Sequence, residues 1–454
     1  MFSVGWTCAS LMAVQSAAAA APFAMPTVTE AMSPERRFSI VEYGAKDDGT
    51  KCTEAFARAM ASCERAGGGH VVVPAGTWVT GAVRFRSNCD LRLERDAVVV
   101  STDDPADYPP VHTSWEGVEC VNYSPLFYAY GCTNVAITGP GTLAPRMDRW
   151  RTWFARPPSH MAAIERLYHW CSTNAPVAKR NLLELKEARM RPHLIQMNRC
   201  ANVLLDGFRI RESPFWMIHL YHSENCIVRN LDTKARGHNN DGVDIEMTRN
   251  VLVEKCHFDQ GDDGVVLKAG RNADGWRLNR PTENVVVRDC DMVSCHSLLG
   301  IGSELSGGVR NVWMTRCTVA DTYAMLRIKT GPRRGGFVEN VWIDHCRGKR
   351  MNQVVDLVTD YCAQWGRFPD YELRPTRIRN IHASDLVADR AGVAVRLLGS
   401  KELPPEDITI SNVRVSSVGT LRDIRNCRNV KVDESFGTSG GVRGDGTKDL
   451  KARD

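Results

Sequence analysis

Three aspartates near the middle of the chain have the type and spacing for acid–base chemistry. Asp241 lies in the run 239–246, and Asp263, preceded by Asp262, follows 22 residues later. If the two runs occupy successive coils of a solenoid, their carboxylates stack at the spacing of neighbouring strands, roughly 4.8 Å. Like charges this close shift one another's pKa, so one carboxyl can stay protonated as a general acid while another stays ionised as a base. The stretch therefore predicts an acid–base site.

Other residues with useful chemistry recur in the following turns of the same pattern. Aligning the strands places Glu246 beside Lys268, His296 near the column of Asp263, and the run 327–329 one coil later. Randomly placed surface charges would not keep one register over four coils. The alignment therefore predicts a wall that carries acids, an imidazole and two cations.

An asparagine-led repeat supplies the solenoid that these residues need. An alternating apolar strand follows each of Asn202, Asn250, Asn284, Asn311, Asn340 and Asn412. Asparagine tolerates the left-handed conformation that a sharp corner requires. The wider intervals before Asn250 and Asn412 predict coils that lack this asparagine or carry long loops. Strands that follow this asparagine repeat without helical crossovers predict an all-β, single-domain parallel β-helix.

The cysteines follow the same repeat. The chain contains 16 cysteines, and the sixth residue after the asparagine is cysteine in four repeats: Cys256, Cys290, Cys317 and Cys346. Equivalent positions on stacked coils lie above one another, so these thiols are predicted to form an internal ladder of small apolar side chains. The ligand spacing of CxxC-type metal sites is absent from this set.

The two ends and one internal segment differ from the repeat. Residues 1–29 carry no charged side chain, and an apolar run followed by alanines predicts a signal peptide over 1–21 and export to the periplasm or outside the cell. Apolar residues at helical spacing predict a helix from Thr53 to Arg65 that caps the solenoid. The β-helix is expected over 37–435, with a loop insertion at 143–191, and 436–454 are expected to be disordered.

Composition excludes some classes of partner. The net charge is +5, and the charged residues, 24% of the chain, alternate in sign without a long basic run. This distribution gives no indication of nucleic-acid binding. No later apolar run reaches the length of a membrane span, so no membrane insertion is expected.

At the predicted site the sequence resembles the polygalacturonase family, glycoside hydrolase family 28, and within it the bacterial exo-type galacturonidases. Four motifs carry the resemblance in order: Asn239-Asn240-Asp241, Asp262-Asp263, Cys295-His296-Ser297 preceding Gly302-Ser303-Glu304, and Arg327-Ile328-Lys329. The resemblance extends from Tyr43-Gly44-Ala45 to the last coils.

The resemblance implies a right-handed β-helix and inverting hydrolysis of α-linked galacturonic acid, without a metal or other cofactor. Asp262 would be the general acid, Asp241 and Asp263 would activate water, and His296 would support the site. The predicted substrate-binding residues are Asn239, Lys268, Arg327 and Lys329. The predicted partner is an acidic pectic polysaccharide or oligosaccharide. An inverting site usually separates its carboxyl groups by about 6.5–9.5 Å so that water fits between them.

Two departures from the family pattern affect the choice of substrate. Asn240 stands where the family has threonine, and Cys295 and Ser297 replace the glycines on either side of His296. These larger residues are expected to narrow the floor of the cleft. Rhamnogalacturonan hydrolysis on the same scaffold therefore stays open. So do a β-helix pectate lyase with a calcium site, which would give an unsaturated product and stop with chelator, and a non-catalytic polysaccharide-binding module.

Two segments bear on the mode of attack. The insertion at 143–191 and the loop around Pro332–Gly335 are long enough to close one end of an open groove. A closed groove admits only a chain terminus, which favours release of single galacturonic acid units from the non-reducing end. If both segments lie flat against the solenoid, the groove is open and internal cleavage is possible.

Overall fold

Short strands joined by tight asparagine corners wind the chain into a parallel β-helix, as the repeat predicted. This computed structural model describes residues 20–361 and 371–433. The predicted disordered tail and nearly all of the predicted signal peptide lie outside the described residues. The right-handed sense expected for the solenoid is the one that parallel crossover connections adopt.

Two long parallel sheets form the walls of the solenoid within the described residues. The strands of the first sheet are Arg37–Ser39, Gly69–Val73, Cys89–Leu93, Thr133–Thr138, Ala201–Asp206, Glu224–Arg229, Arg249–Glu254, Thr282–Arg288, Val309–Thr315, Phe337–Asp344, Arg377–Ser384, Glu406–Ser411 and Arg428–Val432. The strands of the second sheet are Gly76–Thr80, Val83–Arg84, Ala97–Ser101, Phe127–Tyr130, Thr142–Leu143, Ile195–Asn198, Arg209–Arg211, Ile218–Tyr221, Asp232–Ala235, Val243–Glu246, His257–Gln260, Val265–Lys268, Asp291–Gly302, Thr318–Lys329, Arg347–Val358, Val387–Leu398 and Arg414–Arg425. Alternate residues of each strand point into one continuous apolar core.

The corner asparagines stack into a hydrogen-bonded ladder. Each predicted corner residue has a positive φ, between 48° and 58°. The Nδ2 group of Asn284 donates to Oδ1 of Asn250 at 3.0 Å, and Asn311 repeats the bond to Asn284.

The first wide interval does not lack the asparagine, because Asn225 occupies its corner with φ 53° and joins the ladder. The second contains Asn380, with φ 57°, and also a long connection between Val358 and Arg377, as the alternative expectation allowed. The assignment of Asn412 to this ladder is wrong: Asp407 occupies the equivalent corner, whereas Asn412 precedes a strand of the second sheet and donates to Asp385.

The capping helix and the thiol ladder are confirmed. The helix spans Thr53–Arg65 and buries its apolar face, which includes Phe56 and Met60, over the first coils. The ladder cysteines, Cys256, Cys290, Cys317 and Cys346, are free thiols buried inside the solenoid. They fill one interior corner with small side chains, as stacking of equivalent positions requires.

An antiparallel hairpin and a helical segment project from the second sheet. The hairpin strands are Pro110–Trp115 and Val118–Tyr123. The segment after Leu143 contains α-helices at Asp148–Thr152 and Pro158–Ser172 and 3₁₀ turns at Val177–Lys179 and Leu182–Glu184. A further helix spans Asn272–Leu278, and 3₁₀ turns span Ile40–Tyr43 and Pro105–Asp107. Hairpin and segment share an apolar cluster that includes Trp115, Val118 and Leu167.

No helix within the described residues is both long enough and apolar enough to cross a bilayer.

Candidate active site

The structure brings the three predicted aspartates together. They immediately precede the strands Val243–Glu246 and Val265–Lys268, which pair in register so that Val243 lies beside Val265. One carboxylate oxygen of each of Asp241, Asp262 and Asp263 lies within 4.8 Å of the others. This approach between oxygens is closer than the gap expected between carboxyl groups of an inverting pair, about 6.5–9.5 Å. Inversion is therefore an expectation from the family resemblance and not from the spacing.

Glycines allow this close approach. A Cβ atom at Gly242 would lie 2.5 Å from the carbonyl oxygen of Gly264, and one at Gly264 would lie 2.2 Å from Sδ of Met292. Any larger residue would push the two coils apart at the point where the carboxylates meet.

Asp262 is the most accessible carboxylate of the three and is paired with His296. Nδ1 of His296 lies 3.1 Å from Oδ1 of Asp262, and the two side chains are 39% and 19% exposed. The backbone N–H of Asn239 donates to Oδ2 of Asp262 at 3.1 Å. Burial alone would raise the pKa of Asp262, but the charges of His296 and Lys329 and these hydrogen bonds outweigh it and lower the pKa. The charge of Asp262 in turn raises the pKa of His296.

The two deeper carboxylates have opposite protonation. Burial, and then the charge of Asp262, raises the pKa of Asp241 well above its usual value. Asp263 is equally buried, but Nζ of Lys329 lies 2.7 Å from its Oδ2 and holds its pKa below the usual value. These shifts favour the neutral form of Asp241, the ionised form of Asp263, and an ion pair between Asp262 and His296.

Asn239 is held by two arginines of the helical segment. Nη2 of Arg191 donates to Oδ1 of Asn239 at 2.8 Å, and Nη2 of Arg156 donates to the same oxygen at 3.3 Å. Arg191 is buried with its guanidinium 4.2 Å from the ring centre of Phe154. With its oxygen occupied, the Asn239 amide directs its Nδ2 donor elsewhere. The sequence interpretation did not include these arginines, although the insertion is visibly rich in arginine and aromatic residues.

The predicted substrate-binding cations lie at different depths. Lys268 is buried below the cleft, 3.3 Å from Oε2 of Glu304 and 4.6 Å from the ring centre of Trp216. Lys329 is buried against Asp263. Arg327 is 14% exposed and stacks on Tyr323, with its guanidinium carbon 4.2 Å from the ring centre. Arg327 is therefore the most accessible of the three cations.

The departures from the family pattern do not narrow the cleft. Cys295 is part of the apolar core, with Sγ 3.5 Å from Sδ of Met292, and Ser297 is fully buried. The expectation of a narrowed floor is wrong because both residues alternate with the outward-facing His296 along one strand. Asn240 is also buried, and its Nδ2 group donates to the carbonyl oxygens of Ser213 and Phe215.

The outer face of the sheet is covered on one side of the aspartates. Thr113 of the hairpin donates to Oε1 of Gln196 at 2.9 Å, and Trp115 stacks on Phe215 with ring centres 5.3 Å apart. The outward-facing side chains under this cover are completely buried: Gln196, His219, Asp244 and Glu246. On the other side of the aspartates, Arg327 stays partly exposed. The groove therefore ends beside the carboxylate cluster.

The loop around Pro332–Gly335 packs against the helix Asn272–Leu278, because the carbonyl oxygen of Arg334 accepts hydrogen bonds from Trp276 of that helix and from Ser306. Ala273 and Trp276 of the same helix pack in the apolar cluster that joins the hairpin to the helical segment. The loop is therefore connected to the cover, and the hairpin is a part of the cover that the sequence interpretation did not single out.

The carboxylate cluster has the oxygen ligands that hard cations prefer. Lys329 and His296, however, already supply positive charge to Asp263 and Asp262 within 3.1 Å. This charge balance accommodates the cluster without a metal ion.

Comparison with known proteins agrees with this geometry. Residues 174–436 match the model of glycosyl hydrolases family 28. The chain is 28% identical over 390 residues to the "Probable polygalacturonase" of Vitis vinifera, covering 83% of this chain and 74% of that protein. It is 23% identical to the "Exo-poly-alpha-D-galacturonosidase" of Dickeya chrysanthemi, covering 84% and 67%.

A solved structure extends the similarity to nearly the whole molecule. The crystal structure of a hyperthermoactive exopolygalacturonase from Thermotoga maritima superposes with a TM-score of 0.80 at 34% identity, covering 89% of this chain and 94% of that one. Together with the family match, this similarity identifies the chain as a member of glycosyl hydrolases family 28.

Proposed function

We propose that this chain is an exo-acting glycoside hydrolase that removes galacturonic acid from the non-reducing end of galacturonan. The observation that carries the proposal is the position of the carboxylate cluster at the closed end of the groove. The hairpin covers the sheet on one side of the aspartates, whereas Arg327 on the other side stays partly exposed, so we expect room for one chain terminus. The names of the relatives from Dickeya chrysanthemi and Thermotoga maritima support the same mode of attack.

The partly exposed Asp262 is the proposed proton donor. It would protonate the glycosidic oxygen while the bond to the anomeric carbon breaks. In the free site the proton is on His296, 3.1 Å away, so the donor is the Asp262–His296 pair. General acid catalysis is worth about 10²- to 10⁴-fold in rate.

Asp263 is the proposed base. Its lowered pKa keeps it ionised, so it can take a proton from the attacking water as the new bond to the anomeric carbon forms. Neutral Asp241 can hold the same water by a hydrogen bond. Attack from this side inverts the anomeric configuration, as the family resemblance implies.

Arg327 is the proposed partner of the substrate carboxylate on the leaving-group side. Its planar guanidinium can bind a carboxylate through two parallel hydrogen bonds. Lys329 and Lys268 are too deeply buried for the same role, and we assign them to holding the carboxylates in place. Asn239, fixed by Arg191 and Arg156, offers its amide donor to the terminal sugar.

Product analysis of the Asp262→Asn variant tests this assignment. The variant should release no reducing sugar from oligogalacturonates, while its unfolding temperature stays that of the unmodified protein. Asp321→Asn is the matched control, because Asp321 lies exposed in an ion pair with Arg350. An Asp262→Asn enzyme with substantial activity would contradict the assignment. Proton NMR of the first product, showing the β-anomer, would establish inversion.

Export is a further part of the proposal. It rests on the uncharged, alanine-rich leader at 1–21. N-terminal sequencing of the protein from cell fractions should find a mature chain that starts near residue 22 outside the cytoplasm. A full-length chain retained in the cytoplasm would contradict export.

A further inference from the structure

We propose that Arg396 forms a second carboxylate-binding position, which recognises the second uronate on the leaving-group side of the cleft. This inference rests on the proposed function, because it extends the same groove by one sugar. Nothing in the four sequence motifs includes Arg396.

The strand register places Arg396 on the same wall as Arg327. Arg327 pairs with Asp356 on the next coil, and Asp356 pairs with Arg396 on the coil after it. The neighbours of each in sequence, such as Val395 and Leu397, belong to the core, so all three side chains point outward. They form a row of alternating charge that leads away from the aspartates.

A single buried carboxylate holds both arginines. Oδ1 of Asp356 lies 2.7 Å from Nε of Arg396, and Oδ2 lies 3.4 Å from Nε of Arg327. Asp356 is fully buried, whereas the side chain of Arg396 is 24% exposed. The wall therefore presents two guanidinium groups to the groove with the carboxylate of Asp356 beneath them. Asp423 lies beside Arg396 on the following coil, where it forms an ion pair with Arg425.

Tyr323 contacts both Arg327 and Arg396. Its ring centre is 4.2 Å from the guanidinium carbon of Arg327, and its hydroxyl accepts a hydrogen bond from Nη2 of Arg396 at 2.9 Å. Two N–H groups of Arg396 are thus committed to Asp356 and Tyr323. A guanidinium has five N–H groups, so the exposed edge has donors left for an incoming anion.

The spacing suits consecutive uronates. The strands that carry Arg327 and Arg396 are two coil spacings apart, roughly 9.6 Å at about 4.8 Å each. Because both guanidinium groups lean toward Asp356, their head groups are closer than that. Both groups contact Asp356 and Tyr323, which brings the two head groups together on one side of the groove. A substrate with one carboxylate at Arg327 can therefore direct the carboxylate of its next sugar to Arg396.

Binding of short oligomers tests the proposal without depending on turnover. In the Asp262→Asn background, calorimetry would compare trigalacturonate with a trimer whose reducing-end carboxylate is a methyl ester. The ester should bind about tenfold more weakly, which is the size expected for one charge-assisted hydrogen-bond pair. The double variant Asp262→Asn, Arg396→Gln should bind the acid trimer and the ester trimer equally weakly. It has lost the guanidinium that the reducing-end carboxylate would contact, so esterifying that carboxylate has no further effect.

Three controls separate this site from a purely structural effect. Arg390→Gln, an exposed arginine on the same strand, should leave the difference between the trimers intact. Digalacturonate, which cannot reach Arg396, should bind Arg396→Gln within about twofold of the parent, since Arg327 keeps Asp356 and Tyr323 as its own partners. Arg396→Lys keeps the charge beside Asp356 and should restore part of the preference for the acid trimer.

The alternatives give different results. If esterification and Arg396→Gln reduce the binding free energy additively, the reducing-end carboxylate binds elsewhere, and the proposal is overturned. If Arg396→Gln weakens the binding of digalacturonate and of trigalacturonate equally, Arg396 acts only through Asp356 and Arg327. That result also overturns the proposal. If the parent enzyme binds the acid trimer with the predicted preference but hydrolyses none, the binding site stands and the proposed function fails.

Discussion

Nδ1 of His296 lies 3.1 Å from Oδ1 of Asp262, and in the proposed reaction this pair gives the glycosidic oxygen its proton while Asp263 takes one from water. The charge of Asp262 raises the pKa of His296 above its ordinary value, near 6.5. The imidazolium therefore persists above pH 6.5 and is lost as the pH rises through the raised value. The contribution of His296 to stability is complete below pH 6.5 and is lost with the imidazolium, whereas the contribution of Asp262, whose pKa is lowered, is present above its ordinary pKa and is lost as the pH falls.

His296→Gln should lower kcat by on the order of 10²-fold and remove the alkaline limb of the kcat profile. The reason is that the variant loses the group whose deprotonation defines that limb. A pH series of initial rates checks this. An unchanged alkaline limb in His296→Gln would assign the limb to another group and contradict the role of the pair.

Asp241→Asn and Asp263→Asn should both abolish activity but differ in stability. Asp241 is neutral in the free protein, so an amide replaces it at nearly constant charge and volume. Asp263 is the partner of Lys329, and its removal leaves a buried cation, which costs about 3–5 kcal/mol. Chemical denaturation measures both. If Asp241→Asn lowers the free energy of unfolding as much as Asp263→Asn does, the assigned protonation is contradicted.

The main features of the fold and the cluster were predictable because they repeat. Asparagine corners, core alternation and the positions of Asp241, Asp262 and Asp263 depend on local register, which the sequence pattern contains. The contacts of Arg191 with Asn239 and of the hairpin with Gln196 join segments 48 and 83 residues apart. Periodicity carries no information about such pairings, because an insertion has no register with the coils that it covers.

The inward direction of Cys295 was missed for a different reason. The prediction considered Cys295 and Ser297 only as departures from a motif around His296, without the alternation of a strand. Alternation around an outward-facing His296 would have placed Cys295 and Ser297 in the core, although a β-bulge between Met292 and Ser294 interrupts the alternation earlier in this strand.

Arg191→Lys should reduce kcat about tenfold with little change in KM, because a lysine cannot hold Asn239, Pro214 and the faces of Phe154 and Phe215 together. Arg189→Lys is the control, since Arg189 lies two residues away in a surface pair with Glu187. Steady-state kinetics on oligogalacturonates measure the effect. A tenfold rise in KM at unchanged kcat would make Arg191 a residue for ground-state binding and not for positioning.

Cys256, Cys290, Cys317 and Cys346 should react with thiol reagents only after unfolding, because each is buried inside the solenoid. Cys427 is less buried and serves as the internal reference. Mass spectrometry of peptides labelled for increasing times should find Cys427 modified before the other cysteines of residues 20–361 and 371–433. Disulfides among the four ladder cysteines, or their labelling at the rate of Cys427, would contradict the structure of the core.

The time course of products from polygalacturonate tests exo-hydrolysis most directly. The closed groove predicts galacturonic acid as the only early product, with viscosity nearly unchanged while reducing ends accumulate, and with the same rate in the presence of a chelator. A ladder of oligomers with rapid loss of viscosity would contradict the closed end. An unsaturated, ultraviolet-absorbing product that requires calcium would contradict hydrolysis itself.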